Sequence, residues 1–147
     1  MGAAQSIVFT IASSLLTSIL TRNGISTTCK FSRAKPVTLD AAQRQSVEAA
    51  IRETCKFRQW NLHALNVRTN HIHAVIAIGL IKPERALTAL KANSTRQMRE
   101  DGCWQHGHSP WAEKGSKRHL WNERSVSRAI EYVLYGQGDE LPDFDKD

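Results

Sequence analysis

The run Asn70-His71-Ile72-His73-Ala74-Val75-Ile76-Ala77-Ile78 constrains this chain more than any other stretch, because its alternation fits a β-strand. Successive strand side chains take opposite faces, so His71 and His73 share one side while Ile72, Ala74, Ile76 and Ile78 line the other. One face is oily and must meet a core. The other begins with two imidazoles, which can chelate one divalent metal through unprotonated nitrogens and leave positions for oxygen ligands and substrate. Two polar residues on a solvated face produce the same pattern, so the pair needs company before it means a site.

Company comes from residues 122–136, which read as a helix carrying two tyrosines. Asn122 can cap its amino end, Glu123 suits the positive end of the dipole, and Gly136 can stop it. Val126, Ala129, Ile130, Val133 and Leu134 recur at the spacing of one apolar stripe. Tyr132 falls on the flank of that stripe and can lean into a cleft, whereas Tyr135 lies nearly opposite its centre. Taken alone, both rings could equally be ordinary amphipathic packing with a wet hydroxyl.

The remaining periodicities supply an architecture. Ile7-Val-Phe-Thr-Ile11 suits a first strand, and Asp40 with Gln43 offers a capping box for a helix over 37–57. Residues 60–67 alternate as a strand, Arg68-Thr69-Asn70 makes the turn, and the histidine strand returns antiparallel to it. Pro83 opens a second helix, with Leu87, Leu90 and Met98 inward, that ends near Gly102; a short strand around 119–121 precedes the tyrosine helix. This is an α+β arrangement, helices packed on one face of an antiparallel sheet with the other face open. At 147 residues the chain suits one domain.

Together these segments resemble the HUH-type tyrosine transposases, the insertion-sequence-200-like and REP-associated group. The likeness is carried by the 37–57 helix, the hairpin with Asn70-His71-Ile72-His73, the run Trp111 to Trp121, and the helix ending Ala129-Ile-Glu-Tyr132-Val-Leu-Tyr-Gly-Gln137-Gly138. It covers residues 37–138, read as the catalytic domain; residues 1–36 are read as a divergent or truncated segment holding the first strand, and 139–147 as an acidic tail. The resemblance implies a ferredoxin-like fold of the HUH endonuclease type, with His-x-His on a central strand. It also implies single-stranded DNA cleavage and strand transfer through a covalent 5′-phosphotyrosine intermediate, assisted by Mg2+ or Mn2+. Tyr132 would be the nucleophile and His71, His73 and Gln137 the metal ligands. Here the sequence departs from the family, whose amide ligand usually stands four residues after the tyrosine. That place is Gly136, and Gln137 comes one later. Either Gln137 reaches through a distorted last turn, or water fills the position. Tyr135 as nucleophile ranks second.

The charge of the chain agrees with a nucleic-acid partner. The formal net charge is +6, but the 139–147 tail holds five acidic residues and one lysine, so the body carries +10. Expected DNA contacts are Arg68, Lys91, Arg96, Arg99, Lys117 and Arg118 for phosphates, with Trp111 in the 102–116 loop stacking on a base. That loop, with Gly102, Gly107 and Gly115, is expected to be mobile and to face DNA, and its Cys103, His106 and His108 are not preorganised as a zinc site. Three cysteines without Cys-x-x-Cys spacing indicate no disulfide framework, which fits a cytoplasmic protein. The apolar stretch 7–20 is too short for a membrane helix. Expected partners are single-stranded DNA, with hairpin ends as one form, and a second copy of the chain, since the family's tyrosine can be supplied in cis or in trans. Two other readings survive: a catalytically inactive transposase-derived DNA-binding protein, and an unrelated metal hydrolase using His71, His73 and a carboxylate such as Glu131.

Overall fold

A computed structural model describes residues 5–12, 38–113, 115–136 and 144. Among these, the elements run β1 (Gln5–Ala12), α1 (Ala41–Arg58), β2 (Asn61–Val67), β3 (His71–Gly79), α2 (Pro83–Glu100), β4 (Ser116–Leu120) and α3 (Glu123–Tyr135). The four strands form one antiparallel sheet in the order β2-β3-β1-β4. The histidine strand is therefore interior, as is β1. Residues 5–12 are thus part of the same sheet as the rest, and their continuous apolar run reflects burial on both faces.

Local chemistry sets the boundaries. The Asp40 carboxylate accepts from Gln43 N at 2.8 Å, while the Gln43 amide oxygen accepts from Asp40 N at 2.9 Å, the reciprocal capping box that starts α1. Pro83 opens α2, where its missing N–H costs nothing. Asn122 Oδ1 accepts from Ser125 N at 2.8 Å and begins α3.

The two sheet faces are covered differently. Ile7, Phe9 and Ile11 of β1 and Ile72, Ala74, Ile76 and Ile78 of β3 pack beneath α1 and α2 in the main core. On the opposite face, Val8, Ala64, Val75 and Leu120 meet Ala129 and Val133 of α3. Two helices thus share one face as expected, but α3 lies on the face that the sequence reading left open. The reason is visible on β3. Its histidine side turns apolar at Val75, and with Val8 and Ala64 beside it this patch buries the stripe of α3.

The loop after α2 is anchored, contrary to the expectation of mobility. Trp104 is buried and its Nε1 donates to His108 O at 2.9 Å. Trp111, only 4% exposed, donates its Nε1 to Thr95 Oγ1 at 2.9 Å and Lys91 O at 3.1 Å. Ala112 N then donates to Ala12 O at 2.7 Å, fastening the loop to the end of β1. Two indoles with satisfied N–H groups make this segment part of the core.

Candidate active site

The site grows from the turn end of β3. Arg68 N donates to His71 O at 2.9 Å and closes the hairpin, so the two histidines stand on its first residues. Their ring centroids are 4.7 Å apart, tilted by 51°, and both side chains are buried, at 5% and 3% exposure. Asn70 Oδ1 lies 2.7 Å from His71 Nδ1. A carbonyl oxygen only accepts, so Nδ1 carries a proton, the arrangement in which the neutral ring would present Nε2 to a metal. The Nε2 atoms of both rings are buried. Directly across the sheet, Thr10 pairs with His73 on one side and Asn66 on the other. Thr10 Oγ1 is buried without a hydrogen-bond partner among the described residues. Such an oxygen beside two imidazoles suits a small cation site.

The phenol arrives by way of α3. This helix starts beyond Leu120, which pairs with Ser6 at the far end of the sheet, and runs back toward the histidines. Asn66 Nδ2 donates to Val133 O at 3.0 Å and ties the last turn of α3 to the strand beside His73. Tyr132 is thereby brought to a centroid distance of 6.1 Å from His73, with Phe144 edge-on at 5.8 Å on another side. Tyr135 is 77% exposed and makes no such approach. Both groups of the histidine–tyrosine pair belong to one chain, so no exchange between protomers is required to bring them together.

Gly136 completes the local geometry. Its N–H donates to Tyr132 O at 2.6 Å as α3 ends, and its backbone then turns extended, with φ −75° and ψ 161°. A Cβ placed there would lie 2.5 Å from both Tyr132 Cδ2 and Tyr132 O. The tyrosine ring therefore lies over the very position where the family usually carries its amide. Gln137 falls outside the described residues.

The expected DNA contacts separate into two groups. Arg68, opposite His71, and Arg118, in register with Val8 and through it with Val75, belong to the histidine face. Lys117 points to the other face and pairs with Glu84 at 3.7 Å. Lys91, Arg96 and Arg99 sit on α2, across the sheet from the histidines. Lys91 Nζ donates to Ala112 O at 2.9 Å and Glu113 O at 3.3 Å, and burial pushes its pKa down. Arg96 approaches Glu100 at 4.0 Å, and Arg99 donates to His106 O and Gly107 O at 3.2 and 3.3 Å. These three cations brace α2 and its loop. Trp111 as a stacking ring is likewise corrected, since its indole is enclosed. Among the described residues no third His, Cys, Asp or Glu joins the histidine pair, so Glu131 does not complete a hydrolase triad. The sequence reading missed Asn66, Thr10 and Phe144, whose relevance depends on strand register and chain return.

A sequence profile described as IS200-like transposase matches residues 28–133. This chain belongs to the IS200-like transposase family. Solved structures agree with the fold. A REP-associated tyrosine transposase bound to a REP hairpin aligns with a TM-score of 0.59 at 13% identity, over 90% of this chain and 66% of that one. The present transposase thus spans just under two-thirds of that relative. A candidate transposase from Deinococcus radiodurans aligns with a TM-score of 0.52 at 12% identity, over 92% of each chain. No curated protein sequence matches. Among the described residues of this transposase, no helix is long and apolar enough to cross a membrane.

Proposed function

We propose that this transposase cuts and rejoins single-stranded DNA through a 5′-phosphotyrosine link on Tyr132, with His71 and His73 holding Mg2+ or Mn2+. The observation that carries the reading is the approach of the Tyr132 ring to His73, 6.1 Å between centroids, while Tyr135 stands away in solvent. The donor set fits a divalent ion: two imidazoles, one with its Nδ1 held by Asn70, on the same sheet face as a buried hydroxyl. When bound, such an ion would polarise the scissile phosphate and draw off charge as the bond changes.

The chain's own residues do the rest. Tyr132 Oη attacks phosphorus and gives up its proton to solvent, a P–O bond forms, and the bond to the departing 3′ oxygen breaks as that oxygen takes a proton. One ester replaces another, so no nucleotide cofactor is consumed. Reversal with a new 3′ hydroxyl rejoins the strand. Asn66, by holding the last turn of α3 against β2, limits where the phenol can stand. Arg68 and Arg118 on the same face are assigned to the DNA backbone. The REP hairpin held by the related structure points to single strands at hairpin ends as substrate here. A homodimer is not needed to complete the histidine–tyrosine pair.

The test is covalent capture. A 3′-labelled single-stranded oligonucleotide containing a hairpin, incubated with Mn2+, should yield a labelled protein–DNA adduct in the wild type and in Tyr135→Phe. It should vanish in Tyr132→Phe and under chelation, and fall steeply in His73→Ala. Loss of the adduct only in Tyr135→Phe overturns the assignment. Tight binding without adduct in every protein would instead identify a transposase-derived DNA-binding protein, a reading favoured by Gly136 at the family's amide position.

A further inference from the structure

All four tryptophans of the chain are described, and three are enclosed: Trp60, Trp104 and Trp111 are each under a tenth exposed. Trp121 is 76% exposed. Leaving an indole in water forfeits a large hydrophobic gain, and here it is not a floppy ring on a loop. His119 lies against it, with centroids 5.0 Å apart and planes 11° from parallel. The His119 ring is itself held. Its Nε2 is 2.9 Å from Gln5 Oε1, and Gln5 Nε2 donates to Ile81 O at 2.7 Å, so the amide is oriented and His119 Nε2 must carry the proton. The result is a two-ring stack, fixed to the β4 edge of the sheet, with the indole outermost.

We propose that Trp121 is a stacking platform for an unpaired base of the DNA strand that Tyr132 acts on. The inference rests on the DNA reading above and extends it to a second contact point. Three features select a nucleobase over other occupants. A flat ring already stacked on one side offers its open face to another flat ring, and every base supplies one. A cavity of about 500 Å³ that the indole helps to line offers polar groups from Ser6, His63, Asn122 and Ser127, with Glu123 the one acid, beside the apolar Leu120 and Val126. The flanking sequence is cationic, with Arg118 before the indole and Arg124 and Arg128 after it, which suits the phosphates on either side of a stacked base. Trp121 stands two residues before α3 and Tyr132 near its other end, nine residues beyond Glu123 and a helix rise of about 14 Å away, so a strand running along α3 would reach both. Stacking at that distance would fix which phosphate reaches the phenol.

The single exposed indole makes the test direct, using Tyr132→Phe protein so that no chemistry intervenes. Tryptophan emission is followed while a single-stranded oligo-dT is added, and again with an oligomer of equal length whose bases are replaced by abasic sugars. Quenching by oligo-dT, with binding at least about fivefold tighter than the abasic strand, is expected. Trp121→Ala should remove both the quenching and the preference, and Trp121→Phe should keep most of the preference. Equal affinity of Trp121→Ala and its parent for oligo-dT, at unchanged melting temperature, overturns the proposal. So does conversion of a dimer to a monomer by Trp121→Ala without change in DNA affinity, which would make the indole a contact between copies. The two readings fail separately: quenching without any adduct in the wild type sinks the nuclease and leaves the platform, whereas a normal adduct with no base preference does the reverse.

Discussion

Gly136→Ala is the change that most directly probes how the phenol is placed. The added Cβ would stand 2.5 Å from Tyr132 Cδ2, 2.8 Å from Cε2 and 2.5 Å from Tyr132 O. Ordinary contact begins near 3.4 Å, so the ring and the carbonyl must each retreat by about 0.9 Å. The ring cannot do so freely, because His73 and Phe144 flank it at centroid distances of 6.1 and 5.8 Å. The carbonyl cannot either, since it accepts from Gly136 N and ends the helix. Overpacking of this kind costs about 1–3 kcal/mol. For a nucleophile, a displacement near 1 Å costs roughly a hundredfold in rate. We therefore expect Gly136→Ala to melt several degrees lower and to form the DNA adduct about a hundredfold more slowly, with DNA affinity little changed. Gly107→Ala is the control, because a Cβ there meets nothing within 4 Å. An adduct rate equal to wild type in Gly136→Ala would refute the claim that the tyrosine is set by contact with this glycine.

Two further expectations follow from burial and from strand register. Burial raises the Cys55 thiol from 9.0 to about 11, so the folded protein holds a proton that the unfolded chain releases. The associated stability is present below pH 9 and is lost as pH rises toward 11; Cys55→Ala should lack about 2 kcal/mol of that fall in urea titrations at pH 8 and 10.5, and an identical fall in both proteins would refute it. Arg118→Ala, on the histidine face, should lower the slope of log affinity against log salt for single-stranded DNA by about 0.7. Arg96→Ala, across the sheet, should leave it unchanged, and the opposite result would place the DNA on the α2 side.

Much of the fold was legible because it is written in short-range pattern. Asp40 with Gln43, Pro83 and Asn122 each satisfy or dispense with backbone donors at a helix start, and each marks that start in the structure. The alternation through 70–78 needs only the two-residue period of a strand to place His71 beside His73. Helical phase put Tyr132 on the flank of the apolar stripe and Tyr135 nearly opposite it, and in the structure Tyr135 is exposed. The tryptophans were not legible in this way. Trp111 and Trp121 have similar cationic, polar neighbours in sequence, yet one is sealed by Thr95 and the other stands in water.

What the sequence by itself determined was which residues share a face of their own element, since that depends on backbone periods alone. Only the tertiary structure decided which faces meet. β1 enters between β3 and β4, pairing with residues about sixty or more and over a hundred positions away, and no local period encodes that insertion. It sets Thr10 beside His73, sends the α2 cations Lys91, Arg96 and Arg99 behind the sheet, and gives α3 the apolar patch on the histidine side. Burying that stripe carries Tyr132 to the imidazoles. The chemistry of this transposase is thus spelled in its residues, but their meeting is fixed by long-range strand order and by hydrophobic burial of one helix.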